Sequence, residues 1–488
     1  MTSEVIVGPR TARESGAMTS ALPISRAGWP TLLLLLSGTF MVVLDFFIVN
    51  VALPSIQHDL KATDSALQLV VAGYGLANAA GLITGGRLGD LFGRRRMFML
   101  GLLLFTLASA ACGLAQGTAT LIAARIVQGL AGALLQPQVL AMLGLAFTGE
   151  ARAKAFGAYG VALGLAAALG QLVGGLLIHA DLAQLGWRMC FLINVPIGLA
   201  GLVFGLRFIP PFAPEARSRL DMPGALWVAL ALAAVLWPLV EGRQQGWPLW
   251  SVLTLIVALP LVAGLALHQR RLEKRGGHPL IPPALFRLPA FVAGLGVTLA
   301  FFAGNASFYF VLALYLQQIL GLGALASGLV FTVLAVGFFA TAMTAKKLAE
   351  RLGSQLIAIG ALLLAAGHGL MIAVVLAHPG SGAVAWLLPV LCLQGAGLGM
   401  IIAPLMSVVL ASVPAAHAGV AAGVASTVQQ VGNSLGVALI GILFYAGWSA
   451  PRLAFVASMV YLLLLALAVA ALFQRLVRAP QPAASCAA

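Results

Sequence analysis

Acidic residues are scarce in this sequence, 13 among 488, and charged residues of both signs reach only 8% against 61% hydrophobic residues. A soluble domain of this length needs about three times that share of charge, so that class is excluded. The cysteines are equally few: Cys112, Cys190, Cys392 and Cys486 form neither a metal-ligand spacing nor a disulfide framework. No Gly-Lys-Ser/Thr phosphate loop and no His-Glu-x-x-His is present, and no nucleophile–base constellation stands out. ATP drive by this chain and enzymatic chemistry are therefore not expected. The apolar runs are continuous rather than alternating, which argues against a β-barrel. Residues 1–26 are polar and mixed in charge without an apolar core. No cleavable signal is expected there, and the first span is its own insertion signal.

What the sequence does have is runs long enough to cross a bilayer, at about 20 residues each. Fourteen spans are predicted, at 30–53, 66–86, 97–116, 119–143, 155–178, 189–206, 222–240, 250–268, 290–316, 325–345, 354–376, 384–411, 418–445 and 453–473. With the N-terminus inside, 22 of the 27 Lys and Arg fall in predicted cytoplasmic segments. Lys61, Arg188, Arg243 and Arg452 fall outside, and Arg125 alone lies within a span. That bias predicts both termini in the cytoplasm, and it reads the net charge of +14 as membrane topology rather than affinity for nucleic acid.

An internal repeat divides the chain. Leu88-Gly89-Asp90-Leu91-Phe92-Gly93 follows span 2 and Leu348-Ala349-Glu350-Arg351-Leu352-Gly353 follows span 10, an offset of 260 residues. Eight spans separate the two copies, so two six-helix halves with a two-span insertion account for the spacing. The predicted organisation is a cytoplasmic tail at 1–29, a six-helix bundle at 30–208, and a linker at 209–288 carrying two extra helices. A second six-helix bundle follows at 289–474, then a tail at 475–488. Parallel halves around a midplane site are a secondary-transporter plan.

Four stretches give the chain a specific resemblance. They are Gly86-Arg87-Leu88-Gly89-Asp90-Leu91-Phe92-Gly93-Arg94-Arg95, Leu121 through Arg125-Ile126-Val127-Gln128-Gly129, Leu44-Asp45 through Asn50-Val51-Ala52-Leu53-Pro54, and Trp187-Arg188 through Phe191-Leu192-Ile193-Asn194-Val195-Pro196-Ile197-Gly198. Together they resemble the signatures of the major facilitator superfamily, in its fourteen-helix drug:proton antiporter family. The resemblance implies an all-α integral membrane fold and a proton-driven exporter of the bacterial inner membrane. It also implies that the 86–96 loop, with Gly86, Asp90, Gly93, Arg94 and Arg95, latches the outward-open state. The family's fifth-helix signature has Gly-Pro, two residues, then Gly-Gly. Here the sequence is Gly170-Gln171-Leu172-Val173-Gly174-Gly175, so no proline kink is expected.

The residues themselves point the same way. An aspartate at membrane depth costs about 2.5–3.5 kcal/mol on insertion scales. Asp45 is the only acid within a predicted span, as Arg125 is the only arginine. They lie roughly 12 Å and 9 Å from the outer ends of spans 1 and 4, depths that allow a direct or water-bridged pair. The arginine favours the charged carboxylate and desolvation the neutral one, so Asp45 either loads and releases a proton or only fixes helix register through a buried ion pair. Gln128 and Gly129 share the Arg125 face by helical spacing. Gln128, Gln171, Gln430 and Asn433 are candidates for a substrate cavity, with interhelical hydrogen bonding as the alternative for each. Gly129, Gly170, Gly174 and Gly175 are expected to let helices approach closely, as is the Gly160/Gly164 pair. His368 either titrates near neutral pH or is a satisfied interhelical histidine.

The expected function is proton-coupled export of amphipathic, mostly apolar and cationic-tolerant compounds by alternating access, with no cofactor beyond the proton gradient. Its partners are a small-molecule substrate, protons and the lipid bilayer, with no nucleic acid, and the chain is expected to act as a monomer. A dedicated exporter of a metabolite, siderophore or lipid is the alternative on the same fold. A non-transporting sensor or scaffold is the alternative of another class.

Overall fold

A computed structural model describes residues 28–212, 221–277, 279–378, 380, 382–410, 413–414, 418–447 and 449–478. Cys486 and the basic residues Arg10, Arg13, Arg26, Arg217 and Arg219, which enter the charge bias, lie outside the described residues. Among those described there is no strand. The first half comprises α1 (Trp29–Leu60), α2 (Asp64–Phe92), α3 (Arg94–Gly113), α4 (Thr118–Ala146), α5 (Gly149–Ala180), the short α6 (Met189–Leu192) and α7 (Asn194–Phe208). Two helices come next, α8 (Met222–Gln244) and α9 (Leu249–Lys274). The second half comprises α10 (Pro289–Leu314), α11 (Ala324–Leu352), α12 (Leu356–Ala377), α13 (Ala383–Leu410), α14 (Ala418–Ala446) and α15 (Pro451–Arg478). Among the described residues thirteen helices are long and apolar enough to cross a membrane, and α5, bent by 41° between Ala167 and Leu169, makes a fourteenth. The bend needs no proline; Gly170 adjoins it.

The packing is twofold. In the first half α1 packs on α5, α2 on α4, α3 on α4 and α7, and α1 on α7. In the second half α10 packs on α14, α11 on α13, α12 on α13 and α15, and α10 on α15. Exchanging the halves maps each contact onto its counterpart. It also maps the seam onto itself, because α5 packs on α11 and α14 on α2. The inserted α8 lies against α9, α2 and α14, while α9 touches only α8 and the 3-10 turn Pro283–Arg287 among its principal contacts.

The repeat also shows in the backbone. Leu88–Phe92 and Leu348–Leu352 form the last turns of α2 and α11 rather than loops, and each helix stops at a glycine with positive φ, Gly93 at 93° and Gly353 at 54°. A side chain is disfavoured in that region of backbone space. Two expected boundaries shift. The first span does not end at Leu53: α1 runs through Pro54 to Leu60, because one missing amide donor is tolerated where packing holds the turn. The sixth span runs from the 3-10 turn at Gly186 through the four-residue α6 and α7 to Phe208, a few residues longer than expected at its start.

Candidate functional site

The two charges predicted within spans meet directly. Arg125 Nη1 of α4 donates to Asp45 Oδ2 of α1 in a close ion pair, and both side chains have 0% exposure. A pair so placed has lost its hydration and must be satisfied by hydrogen bonds. Asp45 Oδ1 accepts from Gln128 Nε2 at 2.8 Å and from Asn194 Nδ2 at 2.9 Å. Arg125 donates from Nη1 to Gln128 Oε1 at 2.8 Å and from Nε to the Val70 carbonyl of α2 at 3.0 Å. Its guanidinium lies 4.1 Å from the centre of the Tyr74 ring, and Tyr74 in turn donates to the Val42 carbonyl at 3.1 Å. Ser109 Oγ on α3 accepts from Gln128 Nε2 at 3.0 Å and from Asn194 Nδ2 at 2.9 Å, while donating to the Phe191 carbonyl. Five helices thus converge on one carboxylate. Two polar atoms of the network have no hydrogen-bond partner among the described residues, Asn194 Oδ1 and Arg125 Nη2.

Local sequence explains this placement. Arg125 and Gln128 are one helical turn apart on α4, and Asn194 is the first residue of α7. Just before it, Trp187 Nε1 and Arg188 Nη1 donate to Asp59 Oδ2 near the end of α1, at 2.9 and 2.5 Å. The Trp187–Asn194 segment therefore fastens α1 at two heights, at its end through Asp59 and at its middle through Asp45. Ser109, Tyr74 and Asn194 carry no mark that singles them out in the sequence. Asn194 lies inside one of the four quoted stretches, which is the one signal that could have found it.

The other predicted residues lie elsewhere. Asp90 pairs with Arg94 at 2.6 Å across the α2–α3 turn, and Arg95 Nη2 donates to the Leu206 carbonyl near the end of α7. Gly86 meets only the Pro137 ring at ordinary distance, whereas Gly81, Gly85 and Gly89 are tight α2 positions against α4. A Cβ on Gly129 would meet the Tyr74 carbonyl and, at 3.0 Å, Ala77. Gly170 and Gly174 face Phe47 and Ile48 of α1, and Gly175 faces Ala324 of α11. The Gly160/Gly164 pair departs from expectation: Gly164 faces the Phe338 ring and Gly160 has nothing within 4 Å. Spacing alone does not say which glycines have a helix opposite.

None of the remaining cavity candidates joins the Asp45 network. Gln171 is buried where α5 meets α11, its carbonyl opposite Gly328 and its amide without a partner among the described residues. Asn433 donates to Gln430 at 2.7 Å within α14, both nearly buried. A cavity of about 30 Å³ lies instead between α10, α12, α13 and α15, lined by Asn305, Phe308, His368 and Gln394 among others. Gln394 Nε2 donates to His368 Nδ1 at 2.9 Å, and the histidine ring stands edge-on to Phe308. The offset of 260 that relates Asp90 to Glu350 also relates Asp45 to Asn305. No group of three or more His, Cys, Asp or Glu side chains that could hold a metal occurs among the described residues.

The sequence family described as the Major Facilitator Superfamily matches residues 35–437 and, again, 294–485. The chain is 39% identical to the probable actinorhodin transporter of Streptomyces coelicolor over 86% of its own length and 72% of that protein's. It is 37% identical to a puromycin resistance protein of Streptomyces alboniger, over 86% of this chain and 84% of that one. Among solved structures a D-xylose-proton symporter superposes with a TM-score of 0.66, covering 93% of this chain and 98% of its own at 16% identity, a likeness of fold.

Proposed function

The chain belongs to the Major Facilitator Superfamily, and we propose that it is a proton-coupled exporter of amphipathic organic compounds, working by alternating access. Membership makes it a multi-pass transporter of the cytoplasmic membrane and not an enzyme. The observation that carries the coupling is the buried Asp45 with Arg125, Gln128 and Asn194 around it. As a carboxylate, Asp45 is satisfied by three donors. Once protonated it needs an acceptor, and the unpartnered Asn194 Oδ1 beside it is one. Arg125 then keeps the Val70 carbonyl, Gln128 and the Tyr74 face, but has lost its counter-charge. That loss changes how α1 and α4 hold together, the link from proton to helix movement.

The halves touch through Gln317 donating to the Val51 carbonyl at 3.2 Å, Gln318 donating to Gln57 at 2.8 Å, and Phe47 against Tyr309 at 4.8 Å. The two glutamine contacts lie toward the helix ends remote from the 86–96 turn, and the Phe47–Tyr309 contact lies near the middle of α1. With that turn in the cytoplasm, the two glutamine contacts hold the outer ends of α1 and the α10 span together. The resemblance gives Asp90, Arg94 and Arg95 the role of latching the opposite state; the Asp90–Arg94 and Arg95–Leu206 contacts formed here lie within the first half. Relatives named for actinorhodin transport and puromycin resistance support an organic, drug-like cargo; the first is named for a single compound, which favours narrow selectivity as the second reading. Dye efflux from proteoliposomes under an imposed pH gradient tests the proposal. The native chain should move dye uphill and Asp45→Asn should not; uphill transport by the variant would remove Asp45 from the coupling step. A native chain that folds but moves none of a dye panel would favour the dedicated exporter.

A further inference from the structure

The inserted helices take no part in the Asp45 network, yet one end of α9 is a built site. Between residues 270 and 287 the sequence holds five basic side chains and one acid, Glu273. Three of the five, Arg270, Lys274 and Arg287, converge on a cavity of about 370 Å³ completed by Glu273, Pro283 and Phe286. Among the described residues none of the three has an ion-pair partner. Glu273 offsets one of the three positive charges, and the remaining excess favours an anion in the opening.

A buried clamp holds them there. Asp221, ahead of α8, accepts from Gln269 Nε2 at 2.7 Å, lies 2.8 Å from His268 Nε2, and accepts from the Gly224 amide at 2.8 Å. Gln269 Oε1 then accepts from the Ile281 amide at 3.1 Å. Leu280 and Leu285 are buried on either side. The strap 279–288 is thereby fixed beneath α9, which brings Arg287 opposite Arg270 and Lys274.

The surface leading to the cavity is apolar. Val252, Ile256, Leu259 and Leu267 are 42%, 56%, 73% and 51% exposed. They share one helical stripe with Ala263, Arg270 and Lys274, by steps of three and four residues. From Val252 to Leu267 the stripe runs about 22 Å at 1.5 Å per residue, enough for an acyl chain across one leaflet of about 15 Å. Phe286, half exposed, stands at the junction of charge and apolar stripe.

We propose that this cavity binds the phosphate headgroup of an anionic glycerophospholipid, with an acyl chain lying along the α9 stripe. The stripe is what distinguishes a lipid from free phosphate. Because α9 packs on α8, and α8 on both α2 and α14, the bound lipid is linked to the seam between the halves through the two inserted helices.

The test is native mass spectrometry of the purified full chain titrated with phosphatidylglycerol or phosphatidylcholine. Lys274→Gln/Arg287→Gln should weaken phosphatidylglycerol binding roughly 30-fold, at about fivefold for each basic residue at an anionic surface. Arg271→Gln/Arg275→Gln removes the same charge from neighbours that do not line the cavity, and should weaken binding clearly less than the first pair does, because neither side chain touches the headgroup. Should the first pair not purify, Arg287→Gln alone should give the fivefold loss. Equal losses from the two pairs would mean diffuse surface attraction and overturn the site. So would phosphatidylcholine binding as tightly as phosphatidylglycerol, or millimolar inorganic phosphate displacing the lipid.

Discussion

Asp45→Asn takes one charge out of a pair with no exposed surface, and the geometry around the pair fixes the cost. In the native site one carboxylate oxygen serves Arg125 and the other serves Gln128 and Asn194. Asparagine has a single acceptor oxygen, so either Arg125 or the two amides lose theirs. Arg125 also keeps its charge in a site closed to water. Breaking a buried ion pair by removing one partner costs about 3–5 kcal/mol. Asn194 Oδ1 has no partner and can turn to accept from the new amide, which puts this variant at the low end of that range. Arg125→Gln strands the carboxylate instead, and uptake of a proton relieves it. The double variant Asp45→Asn/Arg125→Gln is neutral on both helices and leaves two amides that can bond each other. Its stability loss should fall short of the sum of the singles by about 2–3 kcal/mol, at the upper end for contacting residues.

Thermal unfolding in detergent measures that half of the cycle; proteoliposome efflux under a pH gradient measures the other. The double variant should regain stability yet fail to move dye uphill, because no group remains at α1 to carry the proton. Uphill transport by the double variant would refute the proton reasoning and leave the pair a register device. Strictly additive stability losses would refute the ion pair as an energetic unit.

Three further expectations are simpler. Gly129→Ala places a methyl against the Tyr74 carbonyl and Ala77, so α2 and α4 must part; overpacking of this kind costs about 1–3 kcal/mol, read as a lower thermal midpoint. Gly93→Ala puts a side chain at φ 93° and should cost about 1–2 kcal/mol, whereas Gly117→Ala, with φ −156° and open space around it, should be near neutral in the same assay. Burial opposes the charge on Asp221, but hydrogen bonds with His268, Gln269 and the Gly224 amide outweigh it and hold the carboxyl below its usual range. A depressed folded pKa stabilises above the unfolded value of about 3.9 and the gain disappears as pH falls through the folded one. Asp221→Asn should therefore lower the melting point at pH 7 and make progressively less difference as the pH falls below about 3.9; a pH-independent effect would show that the charge is not what the clamp uses.

Span number was legible because the hydrocarbon thickness imposes it on every crossing segment. Span ends were not, because a helix continues for as long as its own neighbours satisfy it: α1 passes Pro54 and reaches Leu60, where Trp187 and Arg188 meet Asp59. The Asp45–Arg125 pair was legible because a charge at membrane depth is rare and each half of the pair is the other's remedy. Asn194 and Ser109 were not, since a neutral polar side chain in a span looks alike whether it serves a carboxylate, as Asn194 does, or bonds within its own helix, as Asn433 does. The glycines make the same point. Gly174 and Gly160 sit in matching G-xxx-G spacings, but only Gly174 has another helix opposite, and that is a fact of tertiary packing.

The twofold pattern makes the difference between the halves informative. Asp45 and Asn305 occupy matching places on α1 and α10, and each faces the third, fourth and last helices of its half. At Asp45 the carboxylate accepts from three donors and both charges are sealed. At Asn305 the counterpart is uncharged: Oδ1 has no partner, Gln394 bonds His368, and a small cavity remains. An amide leaves a void at far lower cost than a carboxylate, because an unpaired buried charge cannot be tolerated while an unpaired amide oxygen costs about 1–3 kcal/mol at most and a water can meet it. The same helical frame therefore permits a loosely packed neutral site in one half and demands a closed charged one in the other. On the proposed coupling, a proton taken up at Asp45 would alter the balance of the first half alone, and the two halves, alike in packing, would become unequal at the seam where α2 meets α14 and α5 meets α11.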